Sequence, residues 1–391
     1  MIFFKERNSG FPCRGQVWRN QWRKYGVTLG KRAIIHTMYK PNYQISDELV
    51  KKIAQIEALR LQIDSSYILP EREVEMRYRA SVEATHSSTS IEGNPLNRKQ
   101  VERILSSNES LTRHRYAEIE VRNYKKTLDF INQRKEQDVN ITTKDILTIH
   151  KVITNSLLPE SKVGAWRKNP VYIADQNDKP IYTPPSVAAA PKETQKLLDW
   201  LNEKSRDIHP VIAAAILHFQ FVSIHPFADG NGRTTRILTS LYLGLRGYDM
   251  RGSLVLDTYY NTDKFGYYQA LQNQGKDYHA RAGAQADLTP WINYFADGFL
   301  SSTKVLAVEV ALLSRFVENL PQKPKISRQE ADLLSYIQQF GSITLSEAEG
   351  ILSGVPRRTI QRRLKSLVDA GYIIPKGASS DRIYLKPLNP V

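Results

Sequence analysis

A single cysteine, Cys13, stands in 391 residues, which excludes an internal disulfide and any multi-cysteine zinc site. Long hydrophobic runs are missing too. Val211–Leu217 is among the longest, far short of the ~18–20 apolar residues that span a bilayer, so no membrane partner is expected. The opening Met-Ile-Phe-Phe-Lys lacks the roughly 7–15-residue apolar core of a secretory signal. Internal repeats are not apparent, and no G-x-x-x-x-G-K-[ST] phosphate loop occurs. A cytoplasmic protein is the default expectation.

What the chain has in excess is positive charge: 55 Lys and Arg against 40 Asp and Glu, a formal +15. Such a balance invites a nucleic-acid partner, because cations on a polyanion release counterions. The excess sits at the ends. Residues 1–37 carry +7 and residues 322–391 carry +5, which leaves +3 for the 284 residues between. With 41% apolar residues the chain can bury more than one core, so a long disordered protein is excluded.

Residues 1–45 show no sustained period and are read as a basic, loosely ordered leader. A transit peptide, a flexible leader or residues upstream of a start near Met38 all suit 1–37. Helical patterns begin at Ser46 with Leu49, Ile53, Ile56 and Leu59 on one face. Asn97 with Gln100 resembles a capping box, Tyr116–Ile131 is helical, and Thr143 is expected to cap Ile146, Ile149 and Ile153. Val171–Ala174 and Pro180–Thr183 read as a β-hairpin around a polar turn at Asp175–Lys179. Helices are expected over Pro191–Asn202, Val211–Ser223, Thr235–Leu245 and about Pro290–Val317. Pro321 and Pro324 mark a linker.

The chemistry concentrates at His225-Pro226-Phe227-Ala228-Asp229-Gly230-Asn231-Gly232-Arg233-Thr234-Thr235-Arg236. Gly230-Asn231-Gly232 permits positive φ and close backbone approach, so successive N–H groups can face one concavity. A helix opening there adds the positive end of its dipole. Arg233 and Arg236, three apart, suit adjacent phosphates. Asp229 at the lip can hold Mg²⁺, and His225 can take a proton near neutrality. Each piece alone is ordinary: a turn, a packed histidine, a solvated arginine pair. Their conjunction points to phosphate-ester chemistry.

That conjunction resembles the signature of the Fic family, H-P-F-x-x-G-N-G-R-x-x-R, matched here at every fixed position. The likeness runs from about Ile45 to Leu312 and includes Val163-Gly164-Ala165-Trp166-Arg167 and the hairpin ending Tyr182-Thr183-Pro184-Pro185. It implies a mainly α fold, with a Fic-type helical core and a short β-hairpin flap. It also implies transfer of AMP from ATP to a Ser, Thr or Tyr hydroxyl of a protein target, which can be the chain itself. By motif position, His225 deprotonates the hydroxyl and Asp229 holds Mg²⁺ on the α- and β-phosphates. Asn231 and the amides of 230–232 hold the α-phosphate, and Arg233 and Arg236 the rest. Val171 and Ile173 of the flap would face nucleotide or target. Tyr267-Tyr268 with Leu271 resembles the family's Tyr-Tyr-x-x-Leu segment, with Tyr268 near the base. Ser88-Thr89-Ser90-Ile91-Glu92-Gly93-Asn94 resembles the family's autoinhibitory motif, in which Glu92 would pair with Arg236. His36, His86, His114, His150, His209, His218 and His279 show no metal spacing and are assigned no role.

Beyond the linker, helices near 328–340, from Ser346 and over 357–370, then strands at Tyr372–Ile374 and Arg382–Leu385, resemble a small winged helix-turn-helix domain. Arg357, Arg358, Arg362 and Arg363 crowd one helix, which points to duplex DNA; a protein-interaction module is the other reading. The expected division is thus 1–45, 46–320 and 321–391. Two further functions stay open: a DNA-binding regulator with a nucleotide-sensing core, and an enzyme that removes AMP. Whether the chain forms a homodimer is open as well.

Overall fold

The computed structural model describes residues 3–6, 39–106, 115–135, 140–174, 180–272, 276–283, 286–315, 326–377 and 382–387. The expected linker prolines, most of the leader with Cys13, and the hairpin turn at 175–179 lie outside them.

The fold is mainly α. Strand β1 (Phe3–Glu6) precedes helices α1 (Asp47–Ser65), α2 (Pro70–Ile91), α3 (Arg98–Ser106), α4 (Arg115–Arg134) and α5 (Thr143–Thr154). The hairpin β2 (Val171–Ala174) and β3 (Pro180–Tyr182) leads to α6 (Ala190–Glu203), α7 (Pro210–Ile224) and α8 (Asn231–Leu245). Short helices α9 (Asp257–Thr262), α10 (Lys264–Gln272) and α11 (Tyr278–Ala282) come before the long α12 (Thr289–Arg315). The rest is α13 (Arg328–Phe340), β4 (Ser342–Thr344), α14 (Leu345–Ile351), α15 (Arg357–Asp369), β5 (Ile374–Lys376) and β6 (Ile383–Leu385). Among the described residues no helix is long and apolar enough to cross a membrane.

Helix α7 is the axis of the core. It is apolar on every side, and thirteen of its fifteen residues are buried, as such a sequence requires. Helix α8 follows it after one tight turn, and α6, α11 and α12 surround it. Trp291 of α12 donates its indole N–H to the Ala215 carbonyl at 2.7 Å, tying α12 to α7 by a buried bond. Helix α1 lies along α12 through Leu49, Ile56 and Ile63, whose sevenfold spacing forms one stripe.

Several expectations need correction. The cap of α5 is Thr142, not Thr143: Asp145 lies three residues on and bonds back to the Thr142 N–H, completing a capping box. Helix α8 begins at Asn231 rather than Thr235, so Gly232 and Arg233 are helical and only Gly230 has positive φ (78°). The leader supplies β1, which pairs antiparallel with β2, Phe4 opposite Ile173. Helix α2 shows a weak apolar period because four of its ten buried residues, Thr85, Ser87, Ser88 and Thr89, carry hydroxyls. Thr85 and Thr89 satisfy themselves on the carbonyls of Ser81 and Thr85, at 2.7 and 2.8 Å.

After residue 326, three helices pack on a three-stranded antiparallel sheet of order β4-β6-β5. Strand β4 was not foreseen, and β5 starts at Ile374 because Tyr372 and Ile373 are buried in this small core. Val74 of α2 is buried in the same core. Arg328 reaches Asp249 at 3.3 Å, and Gln133 donates to the Ile351 carbonyl at 2.5 Å, so the unit is seated on the main body. On α15, Arg358 and Arg362 are exposed, Arg357 pairs with Glu349 at 2.7 Å, and half-buried Arg363 lies 3.8 Å from Glu330.

His218, on α7, is fully buried, with Nε2 2.9 Å from the Tyr267 hydroxyl and Nδ1 3.3 Å from that of Thr239. Burial, with the Arg236 charge second, pulls it from 6.5 to about 3. The unfolded chain therefore binds a proton that the folded chain refuses across that interval, so acid weakens the fold. We expect His218 to lower stability steadily as pH falls from 6.5 to about 3, and no further below that. Urea unfolding as a function of pH measures it, and His218→Gln should remove that share of the slope.

Candidate active site

The turn between α7 and α8 gathers the signature residues. His225 ends α7 in the left-handed region, φ 49°, an uncommon conformation for a side-chain-bearing residue. Its Nδ1 lies 3.1 Å from the Val222 carbonyl. A carbonyl only accepts, so that nitrogen carries the proton and Nε2 the lone pair. Burial above all pulls His225 down to about 4, so the ring is neutral at physiological pH and able to accept a proton.

Arg167 holds the strained end of the turn from outside. Its Nε donates to the His225 carbonyl at 2.9 Å, its backbone N–H to the Pro226 carbonyl at 3.0 Å, and its Nη2 to the Pro185 carbonyl. The same buried side chain thus joins the base of the hairpin to the backbone of His225.

Phe227 anchors the middle. Its ring is sandwiched between His150, parallel at 3.7 Å, and Trp166 at 5.1 Å. Asn231 clasps its backbone, with Oδ1 accepting the Phe227 N–H and Nδ2 donating to the Phe227 carbonyl, both at 2.9 Å. The Asn231 side chain therefore closes the turn on the Phe227 backbone. The Gly230 N–H donates to Asp229 Oδ1 at 2.5 Å, so it differs from the expected open amide. What remains for an anion is the start of α8, where the first N–H groups have no intrahelical acceptor. A Cβ at Gly232 would meet Glu92 Oε1, the tip of a flexible side chain, so any larger residue there would displace the Glu92 carboxylate.

The two arginines part company. Arg233 turns to Glu120 of α4 in a buried ion pair, and Glu120 also accepts from Asn94 Nδ2 at 2.6 Å. Arg236 turns to α2. Its Nη2 donates to Glu92 Oε1 at 2.7 Å and to the Ser88 carbonyl at 3.0 Å. Its Nε donates to Ser88 Oγ at 2.6 Å, with Asp257 Oδ1 at 3.3 Å. Burial opposes the Arg236 cation, but Glu92, Tyr267 and Asp257 outweigh it and hold the group charged. Each guanidinium faces a carboxylate: Arg236 meets Glu92, the partner expected for it, and Arg233 meets Glu120, which was not foreseen.

Asp229 stands at the lip, its side chain 40% exposed and 3.8 Å from Arg233. Among the described residues no group of three or more His, Cys, Asp or Glu side chains is arranged around a metal. A lone accessible carboxylate still suits Mg²⁺, which takes one or two carboxylates and completes its shell with water and substrate phosphates. Tyr268 is half-buried, its ring 5.3 Å from Tyr267, and its hydroxyl donates to the Ile91 carbonyl at 3.3 Å. Lys264 donates to the Ser90 carbonyl at 2.5 Å, so α10 braces the last turn of α2. In the hairpin Val171 is buried, which leaves Ile173 as the partly accessible member of the pair. Sequence reasoning missed Glu120, Asp257, His150 and the role of Arg167. None carries a local signal, since each acts across a large sequence separation.

Arg167→Met should destabilise the fold by about 2–4 kcal/mol, because the carbonyls of His225 and Pro185 stay buried without their donor. Chemical denaturation measures this, and Arg167→Lys should recover only part, since an ammonium cannot span both carbonyls.

Comparison with known proteins agrees with this geometry. A profile described as the Fic/DOC family matches residues 140–243. Protein adenylyltransferase Fic of Drosophila willistoni is 26% identical over 314 residues, covering 78% of this chain and 57% of the relative. The Drosophila melanogaster protein of the same name is 28% identical over 274 residues, 68% of this chain and 49% of the relative. The chain thus spans about half the length of the curated relatives it matches. Among solved structures, a Fic family protein from Desulfovibrio desulfuricans aligns with a TM-score of 0.56 at 23% identity, over 90% of this chain and all of the other. Fic-1 from C. elegans aligns with a TM-score of 0.52 at 25% identity, over 67% of this chain and 71% of the other. Residues 140–243 thus match the Fic/DOC family model, and the chain as a whole is similar to proteins of that family.

Proposed function

We propose that this chain is a protein adenylyltransferase, moving AMP from ATP to a Ser, Thr or Tyr hydroxyl of a protein and restrained by its own Glu92. The observation that carries the reading is the α7–α8 turn. It brings a neutral histidine with its lone pair on Nε2, an exposed carboxylate and a helix N-terminus within a few residues of one another. The relatives named protein adenylyltransferase support the same chemistry.

In this reading the target hydroxyl gives its proton to His225 Nε2 as its oxygen attacks the α-phosphorus. The bond from that phosphorus to the bridging oxygen breaks, and pyrophosphate leaves. The product is a phosphodiester between AMP and the target. The start of α8 faces the growing negative charge, where fixed dipoles lower the barrier without reorganising. Asp229 would hold Mg²⁺, which when bound neutralises phosphate charge. Arg233 and Arg236 would take the outer phosphates.

Glu92 restrains this by occupying the Arg236 guanidinium at 2.7 Å, where a phosphate would need it, and by placing a carboxylate against a polyanion. Arg236 need not be rebuilt when Glu92 leaves, because Ser88 and Asp257 keep their grip on it.

Labelled ATP with Mg²⁺ and a panel of candidate proteins tests the reading. Glu92→Gly should raise labelling at least about tenfold over wild type, the loss of one competing ion pair. His225→Ala in the Glu92→Gly background should abolish it. Absence of label in every variant would favour the nucleotide-sensing regulator. Release of AMP from a labelled target by wild type but not by Glu92→Gly would favour removal. The exposed Arg358 and Arg362 of α15 support duplex DNA as a second partner. Binding should then fall steeply as salt rises from about 50 to 200 mM, and Arg358→Ala should flatten that slope.

A further inference from the structure

We infer that His150, on α5, is the positioning residue that sets the Asp229–Gly230 end of the phosphate-binding turn. This rests on the adenylyltransferase reading for its consequence in turnover, but not for its structural content.

His150 is fully buried and makes three kinds of contact at once. One face of its ring lies parallel on Phe227, 3.7 Å between centroids and 5° between planes. Its Nδ1 accepts the Gly164 N–H at 3.0 Å, and its Nε2 lies 3.0 Å from the Asp229 carbonyl. A backbone N–H can only donate, so Nδ1 holds the lone pair and Nε2 holds the proton. The ring therefore donates to the Asp229 carbonyl while accepting from the segment before the hairpin. It bridges two loops that meet only at the site.

The consequence falls on the direction of the turn. With its carbonyl drawn down to α5, Asp229 keeps its side chain at the lip, and Gly230 takes φ 78°. Thr154, one turn along α5, packs where a Gly230 Cβ would sit, so the same helix face excludes any larger residue there. Histidine alone among the side chains combines a flat stacking ring, an acceptor on one edge and a donor on the other. Phenylalanine would keep only the stack. Glutamine would keep an N–H for Asp229 but neither the ring nor the Gly164 acceptor.

The test uses the full chain in a Glu92→Gly background, comparing His150→Phe and His150→Gln with the parent. Amide hydrogen exchange over 225–236 is read against α12 as an internal reference. In His150→Phe, exchange at 229–232 should rise about tenfold while α12 stays protected, a local opening rather than a global one. AMP transfer should fall about 10- to 100-fold in kcat with a smaller change in KM for ATP, as expected for reacting groups held out of line. His150→Gln should recover part of both. Unchanged exchange at 229–232 in His150→Phe overturns the proposal. So does exchange that rises equally in α12, which marks a merely structural residue. If His150→Phe does not fold, the same local-against-global comparison in His150→Gln decides. Should the parent itself transfer no label, the enzymatic reading fails, while hydrogen exchange still decides the role of His150.

Discussion

Everything at the site hangs on how Phe227 is held. A turn of this kind must leave its polar backbone beside an opening, where water competes for every bond. Here the ring is driven into the core between His150 and Trp166, and the amide on either side is closed by Asn231. One apolar side chain thus fixes a polar segment from below. His225 upstream and Asp229 downstream then differ in environment although only four residues apart: the first is buried and neutral, the second half-open to solvent. Helix α7, which ends in the left-handed His225, is buried along almost its whole length.

The electrostatics are those of a filled site. Two buried guanidiniums would be intolerable without counter-charges, and the fold supplies Glu120 for one, Glu92 and Asp257 for the other. These partners differ in permanence. Asp257 lies deep, beside the Tyr124 hydroxyl at 3.3 Å, whereas Glu92 caps the end of a helix and is followed by Gly93 at φ 97°. Burial thus divides the counter-ions into an enclosed one, Asp257, and a more accessible one, Glu92.

Much of this was legible in the chain itself. The turn residues stand together, so their chemistry is local, and the amphipathic helices announce their faces by spacing. The pairing of Glu92 with Arg236 came from the resemblance of residues 88–94 to a family motif, not from the residues alone. What could not be read was whatever depends on packing between distant segments. Nothing around His150 distinguishes it from the other histidines, because its ligands are Gly164 and Asp229. That the Asn231 side chain also holds the Phe227 backbone at both its ends carries no signal in the sequence. The helix expected to end at Glu92 gave no clear start or face, because Thr85 and Thr89 satisfy their hydroxyls on the helix itself and are buried without an apolar signature.

Helix α2 also shapes how the molecule can be dissected. Val74, near its start, is buried in the small core after residue 326, and Glu92, at its end, grips Arg236. At about 1.5 Å per residue the two points are about 27 Å apart on one rod with no internal proline or glycine. Trimming the chain before α13 would therefore uncover Val74, strip Arg328 from Asp249 and loosen the rod that carries Glu92. A shortened protein would thus differ at the far end of α2 as well as at the missing segment.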